Sequence, residues 1–293
     1  MKKTIFILPV ILLFLVAAKS DRPAYRLYNA KGHSVDYDDL LKAAKKADII
    51  FFGEEHTNPV CHWLELQLTK DLYEVKKNNL VLAAEMFERD NQLLLNEYMS
   101  KLIRKKDFEA EAKLWGNYKT DYAPIVDFAH DKGLKFIATN IPRRYAAIVN
   151  AKGFEGLDSI NALERTLIAT LPIKYNPDLE CYKKMKEMMG DSPGHNSDNI
   201  SKAQAIKDAT MAQYILKNGY SPNVVLHFNG SYHSDNYQGI LYYINEINKK
   251  TDVTLNILTI STVEQDTIED LSKENLGKAD FIICVPSDMI KSQ

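Results

Sequence analysis

Cysteine is scarce in this chain: Cys61, Cys181 and Cys284 lie far apart among 293 residues, with no C-x-x-C pair. An odd, scattered count excludes a disulfide framework, and buried free thiols are the expected state. Positive charge is limited too. The formal net charge is −2 and no polybasic run occurs, so neither a nucleic-acid partner nor an anionic-lipid patch is expected. Internal repeats, low-complexity tracts and long linkers are missing. The hydrophobic run at residues 5–18 holds fourteen residues, too few to span a bilayer. With Lys2 and Lys3 before it and small residues after it, residues 1–20 read as a secretory signal peptide. Cleavage is expected after Ser20, with an uncleaved anchor as the alternative. Losing Lys2, Lys3 and Lys19 would take the charge from −2 to −5. No cysteine precedes Cys61, so lipid attachment at an N-terminal cysteine is not expected.

What remains is a chain with 45% hydrophobic residues, enough to bury one large core or two modest ones. Six short apolar runs, at 48–52, 81–85, 135–139, 224–228, 255–260 and 281–285, are rich in β-branched and aromatic residues. Such runs suit strands buried on both faces. Helical spacing separates them. Cys61, Leu64, Leu68, Leu72 and Val75 recur behind Asn58 and Pro59, which suit a helix cap and first turn. Ile125, Val126, Phe128 and Ala129 form a helix that Gly133 can end, and Tyr237, Ile240, Leu241, Ile244 and Ile247 form another. The pattern predicts an α/β fold with a mainly parallel central sheet flanked by helices. "YRLYNAKGHSVDY" reads as a small hairpin leading into a helix at 38–46. Between the third and fourth runs no strand signal occurs, so a helical insertion is expected at about 145–220, over one end of the sheet. Residues 21–293 then form a single domain.

Polar residues collect where such strands end, which is where open α/β sheets bind ligands. The first run leads to Glu54 and His56, the second to Glu85, the third to Asn140 and Arg143, and the fourth to Asn229, Tyr232 and His233 around Gly230. Any one of them has an ordinary structural reading: Asn140 as a helix cap, Glu85 as a partner of Arg143, His56 as a satisfied core histidine. Four converging tips are harder to dismiss. His62 in the first turn of its helix leans toward the same edge. His227 reads as core. In the helical segment Met185, Met188 and Met189 precede a turn holding His195, and Gln204, Asp208 and Met211 share a helix face. The methionines are core filling or the wall of a flat apolar ligand.

The stretches "FFGEEHTNPVCH", "LAAEMFERDNQ", "DYAPIVDFAHDKGLKFIATNIPRR", "KAQAIKDATMA" and "NGSYH" resemble, in order, the ChaN-like haem-binding lipoprotein family over roughly residues 47–245. The resemblance implies an α/β core with a helical subdomain, a periplasmic or cell-envelope location, and haem binding for iron uptake. It implies haems paired face to face in a homodimer, tyrosine iron ligands with a nearby histidine, and contact with outer-membrane haem uptake machinery. The cofactor-binding candidates are His56, His62, Asn140, Arg143, Gln204, Asp208, Tyr232 and His233, of which all but Tyr232 match family motif positions. Among sixteen tyrosines, Tyr118, Tyr122, Tyr182, Tyr232 and Tyr237 neighbour those motifs. The chain departs from the family in lacking a lipid-acceptor cysteine and in the longer turn "NGSYHSDNYQG".

The same residues allow a second class of function. Glu54, His56, Glu85 and His233 suit an envelope hydrolase, possibly with a divalent metal in place of haem. There His56 would be base or ligand, Glu54 or Glu85 would activate water, and Arg143 would hold an anion. A third class is a binding module that keeps the site as scaffold for another small ligand.

Overall fold

A computed structural model describes residues 22–189 and 197–292. The expected signal peptide and His195 lie outside the described residues. The strands are β1 (Arg26–Asn29), β2 (Ser34–Val35), β3 (Ile49–Glu54), β4 (Leu80–Glu88), β5 (Lys135–Asn140), β6 (Val224–Gly230), β7 (Ile257–Gln265) and β8 (Phe281–Pro286). They form one sheet in the order β2-β1-β8-β7-β3-β6-β4-β5. All six apolar runs are therefore strands, and β8 to β5 across that order are parallel throughout. The expected hairpin is β1–β2, which joins antiparallel at the β8 edge.

Burial on both faces explains the unbroken apolar runs. In β3, Ile50 and Phe52 face α1 (Tyr37–Ala44) and α2 (Pro59–Lys76), with α3 (Gln92–Met99), α4 (Lys105–Glu111) and α5 (Ala123–Lys132) in the same layer. Ile49 and Phe51 face the opposite layer. Asn58 caps α2 by accepting from the Val60 and Cys61 amides, and Gly133 ends α5 at φ +66°. Leu64, Leu68 and Leu72 of α2 are buried, each contributing about 1.5–3 kcal/mol relative to an exposed leucine. Val75 is exposed, so the apolar stripe stops one turn short of its expected end.

The helical stretch between β5 and β6 holds α6 (Arg143–Lys152), α7 (Ala162–Arg165), α8 (Glu180–Met189) and α9 (Ser197–Leu216), and α10 (Ile240–Asn248) follows β6. A parallel strand pair needs a crossover element, and α9 supplies it. Its Ala205, Ile206, Ala209 and Ile215 pack with Ile49, Phe51, Val81 and Val225 on the sheet face. The longest helix of the stretch is thus a layer of the sandwich, while α6 and α8 reach the carboxyl edge. Also, β4 runs past Glu85, and its pairing with β5 is irregular between Ala84 and Glu88. Glu85 sits at that break instead of at the strand's end.

Candidate functional site

Two bare backbones let the strand ends close up. A Cβ at Gly230 would stand 2.7 Å from His56 Nε2, and one at Gly53 would stand 2.9 Å from the Ile260 carbonyl oxygen. Glycine at both points brings His56 over the end of β6, with Glu85 beside it.

The first cluster grows from β3 and α2. Glu54 is buried, and its Oε1 accepts from His56 Nδ1 at 2.6 Å and from the Tyr122 hydroxyl at 2.7 Å. The His56 side chain is 40% exposed, and its ring lies edge-on to Trp115, centroids 4.9 Å apart. His62 is buried with Nδ1 2.9 Å from Glu65 Oε2, and its Nε2 donates to the His56 carbonyl at 3.1 Å. Asn117 donates to that same carbonyl at 2.8 Å and to Asp121 Oδ2 at 2.7 Å. Burial would push the Glu54 carboxyl up, but the His56 hydrogen bond and the His62 charge outweigh it and hold it below its ordinary value. Burial and the neighbouring Glu54 charge push Glu65 well above the carboxylate range. Burial opposes protonation of His62, yet the two carboxylates win and push it up to about 10.

The second cluster joins β4, β6 and α9. His233 stands between two buried carboxylates, with Nε2 3.1 Å from Glu85 Oε1 and Nδ1 2.5 Å from Asp208 Oδ1. The Gly230 amide donates to Glu85 Oε2 at 2.8 Å, and the Tyr182 hydroxyl donates to Asp208 Oδ2 at 2.7 Å. Gln204 lies 3.1 Å from the imidazole. Burial alone would keep His233 neutral, but Glu85 and Asp208 push it up to about 10. Glu85 is held far below its ordinary value, burial notwithstanding, by the His233 charge. Burial pushes Asp208 up.

Against the second cluster a cleft of about 530 Å3 runs from Glu85 and Glu88 across Asn140, Ile141 and Arg143 to Met185 and Gln204. It shares Glu88, Trp115 and Arg143 with a second cavity of about 830 Å3 that adds Lys113 and Arg144. Both fall in the size range of ligand pockets, roughly 300–1,000 Å3. Arg144 is taken by Asp90 at 2.5 Å, whereas Arg143 has no ion-pair partner among the described residues. The buried Asn140 Oδ1 has no hydrogen-bond partner among the described residues.

Most of the residues singled out by sequence therefore meet. Glu54, His56 and His62 share one cluster; Glu85, Gln204, Asp208 and His233 share the other; Asn140, Arg143 and Met185 line the cleft. Tyr232 does not join them, because its hydroxyl donates to the Cys181 carbonyl. Asp208 lies behind His233, buried, so it positions the imidazole and does not face the cleft. His227 is a core histidine, bonded to Thr139 and Asn229 and kept neutral by burial, its pKa about 4. Of the tyrosines near the motifs, Tyr122 and Tyr182 turn inward to the carboxylates already named, while Tyr237 is exposed and bonds Asp280. No tyrosine lines the cleft among the described residues. Glu65, Asn117, Asp121 and Trp115 were not anticipated. Only Glu65 leaves a readable signal, three residues after His62 on the inward face of α2.

The family described as haem-binding uptake, Tiki superfamily, ChaN has a profile that matches residues 40–244. The chain belongs to this family. ChaN of Campylobacter jejuni, solved with cofacially bound haem, superposes with a TM-score of 0.66 at 18% identity, over 90% of this chain and 97% of that one. At that identity the likeness speaks for the fold. Protein RETICULATA-RELATED 5, chloroplastic, of Arabidopsis thaliana is 30% identical over 117 residues. Those residues are 38% of this chain but only 16% of the plant protein. An erythromycin esterase solved in its open conformation aligns over 90% of this chain at 10% identity, and its TM-score of 0.47 carries no argument.

The haem-binding description can be tested on the cleft itself. Trp115, Ile141 and Met185 offer apolar surface. Arg143 and Lys207 bring cations to the same cleft, as a ligand with an apolar face and carboxylate arms requires, while Lys113 in the adjoining cavity is paired with Asp90 at 3.1 Å. These residues fit haem. The expected tyrosine ligand is not among them, while His56 stands against Trp115 with Nε2 without a hydrogen-bond partner among the described residues.

Proposed function

We propose that the protein is an exported haem-binding protein of haem and iron acquisition, located in the periplasm or at the cell envelope. Haem enters the cleft between Trp115 and α8, and pairs with a second haem across a homodimer. The observation that carries this reading is the Arg143 guanidinium, with no ion-pair partner among the described residues, beside a cleft of mixed apolar and polar lining whose Trp115 touches the part-exposed His56. Arg143 and Lys207 would hold the propionates; Trp115, Ile141 and Met185 would cover the ring. His56, oriented by Glu54, would be the imidazole toward iron. Haem when bound supplies a ferric centre and a flat chromophore. The chain's part is to orient His56, through Glu54 and Tyr122, and to keep water from one ring face.

A haemin titration tests it. A saturable absorbance band near ~400 nm is expected, shifted by His56→Ala and reached at higher haemin concentration by Arg143→Ala. Doubling of the hydrodynamic mass at saturation would support pairing. A band that never saturates would sink the reading.

A second reading rests on one observation: a buried carboxylate orients His56 and leaves Nε2 free, the arrangement of a general base. We infer that an envelope hydrolase built on Glu54, His56, Glu85 and His233 is the alternative. It requires turnover on an ester or peptide panel that Glu54→Ala or His56→Ala abolishes while the fold persists.

A further inference from the structure

Beyond the haem cleft, on the α2 side of Glu54, the structure holds a group of ligand atoms from which the proposed functions draw only Glu54, through its Oε1. We propose that Glu54, His62 and Glu65 form a site for one divalent transition-metal ion of the manganese, iron or zinc class. One donor atom from each lies within 4.8 Å of the others, and all three residues are buried.

Four features go beyond proximity. First, Glu54 Oε2 and Glu65 Oε1 are buried with no donor among the described residues, and the two carboxyls can bond each other only by sharing a proton; an unmet polar atom costs about 1–3 kcal/mol. Second, both outer partners of Glu54, the His56 imidazole and the Tyr122 hydroxyl, bind Oε1, so they orient the carboxylate and leave Oε2 for the cluster. Third, His62 Nε2 donates to the His56 carbonyl, which leaves Nδ1 to accept a metal. A ring N–H tied to a carbonyl is how most metal-bound histidines are held. Fourth, there is a way in: His62 lines a cavity of about 540 Å3 with Pro59, Trp63, Asp121 and Ser292.

The charge balance agrees. Two carboxylates and a neutral imidazole around a dication sum to zero, whereas without one an imidazolium can offset only one of the two carboxylates. Oxygen and imidazole donors select manganese, iron or zinc over calcium, which takes oxygen ligands alone, and over copper(I), which takes thiolate. His62 and Glu65, three apart on α2, present their donors from one helix face, as Glu-x-x-His pairs do in metal-binding helix bundles.

The test uses the full chain, stripped with a chelator and titrated separately with Mn2+, Co2+ and Zn2+. Metal content and the Co2+ visible spectrum are the readouts, beside an anomalous-scattering map of metal-soaked crystals. One ion per chain is expected. Glu65→Gln should weaken it by more than the roughly 10–100-fold that loss of an outer partner costs. An ion that persists in Glu65→Gln but is lost in His233→Gln would place the metal in the cleft instead and overturn the assignment. Binding no tighter than to a surface carboxylate would overturn it too, leaving a shared proton as the occupant. Haemin titration of Glu65→Gln runs in parallel. An unchanged haem band with lost metal separates this site from the haem reading, and a chain that binds metal but not haem defeats that reading alone.

Discussion

The two histidine–carboxylate clusters at the sheet edge use the same parts and end in different states. Each has a buried imidazole, two buried carboxylates and a tyrosine hydroxyl. Around His233 every side-chain oxygen and nitrogen of Glu85, Asp208 and Tyr182 has a partner. Around His62 two carboxylate oxygens have none. The difference lies in supply. Glu85 receives the Gly230 amide and Asp208 receives Tyr182, so each oxygen is covered. Glu54 receives two donors on one oxygen, and Glu65 receives only His62. A closed network holds a scaffold together, whereas an open one is available to a ligand.

The largest effect should come from breaking the closed network. His233→Ala leaves Glu85 and Asp208 buried without their shared cation, and a loss of about 3–5 kcal/mol is expected in urea unfolding. Glu65→Gln removes one of two facing carboxyls and can donate an amide hydrogen toward Glu54. It should stay within about 1 kcal/mol of the parent. Equal losses in the two variants would erase the distinction between the clusters.

The clusters should also differ in pH response. His62 and His233, both pushed up to about 10 from 6.5, stabilise fully below pH 6.5 and lose that contribution as pH rises toward 10. The carboxylates part company. Glu85 is lowered, so its contribution is present above its ordinary value of 4.5 and is lost as pH falls through its depressed folded value. Glu65 is raised, so its contribution is present below 4.5 and is lost as pH rises. Stability differences from the parent should therefore change in separate windows. Glu85→Gln should fall behind as pH rises toward 4.5 and then hold level, whereas Glu65→Gln should gain on the parent only as pH rises above 4.5. Parallel slopes would mean that both carboxyls titrate alike.

The contrast also marks what can be read from sequence. Strand tips are legible because a strand buried on both faces is an apolar run, and the polar residue after it stands out. That logic located Glu54, His56, Glu85, Asn140 and His233. It does not reach Glu65, whose only signal is its place three residues after His62 within the apolar stripe of α2. Nor could it place Trp115, Asn117 and Asp121. They lie between α4 and α5 in a stretch with no clean period, which includes a π-helical turn at Tyr118–Tyr122. Their contacts with His56 and His62 come from tertiary packing. Tyr232 failed for a related reason: neighbourhood in sequence does not set a hydroxyl's direction, and the Cys181 carbonyl takes it.

The two tyrosines separate the clusters by stability alone, and their order is informative. Tyr182→Phe removes the partner of Asp208 Oδ2, leaving that oxygen buried beside an aromatic ring at a cost of about 1–3 kcal/mol. Tyr122→Phe removes one of two donors to Glu54 Oε1, and His56 still covers that oxygen, so about 0.5–1.5 kcal/mol is expected. Chemical unfolding of the two variants at one pH, with no added metal, ranks them. If Tyr122→Phe proved the costlier, its hydroxyl would be supporting more of the first cluster than Glu54 Oε1. The orphaned oxygens would then belong to a strained but self-sufficient network, and the case for a cation there would weaken with it.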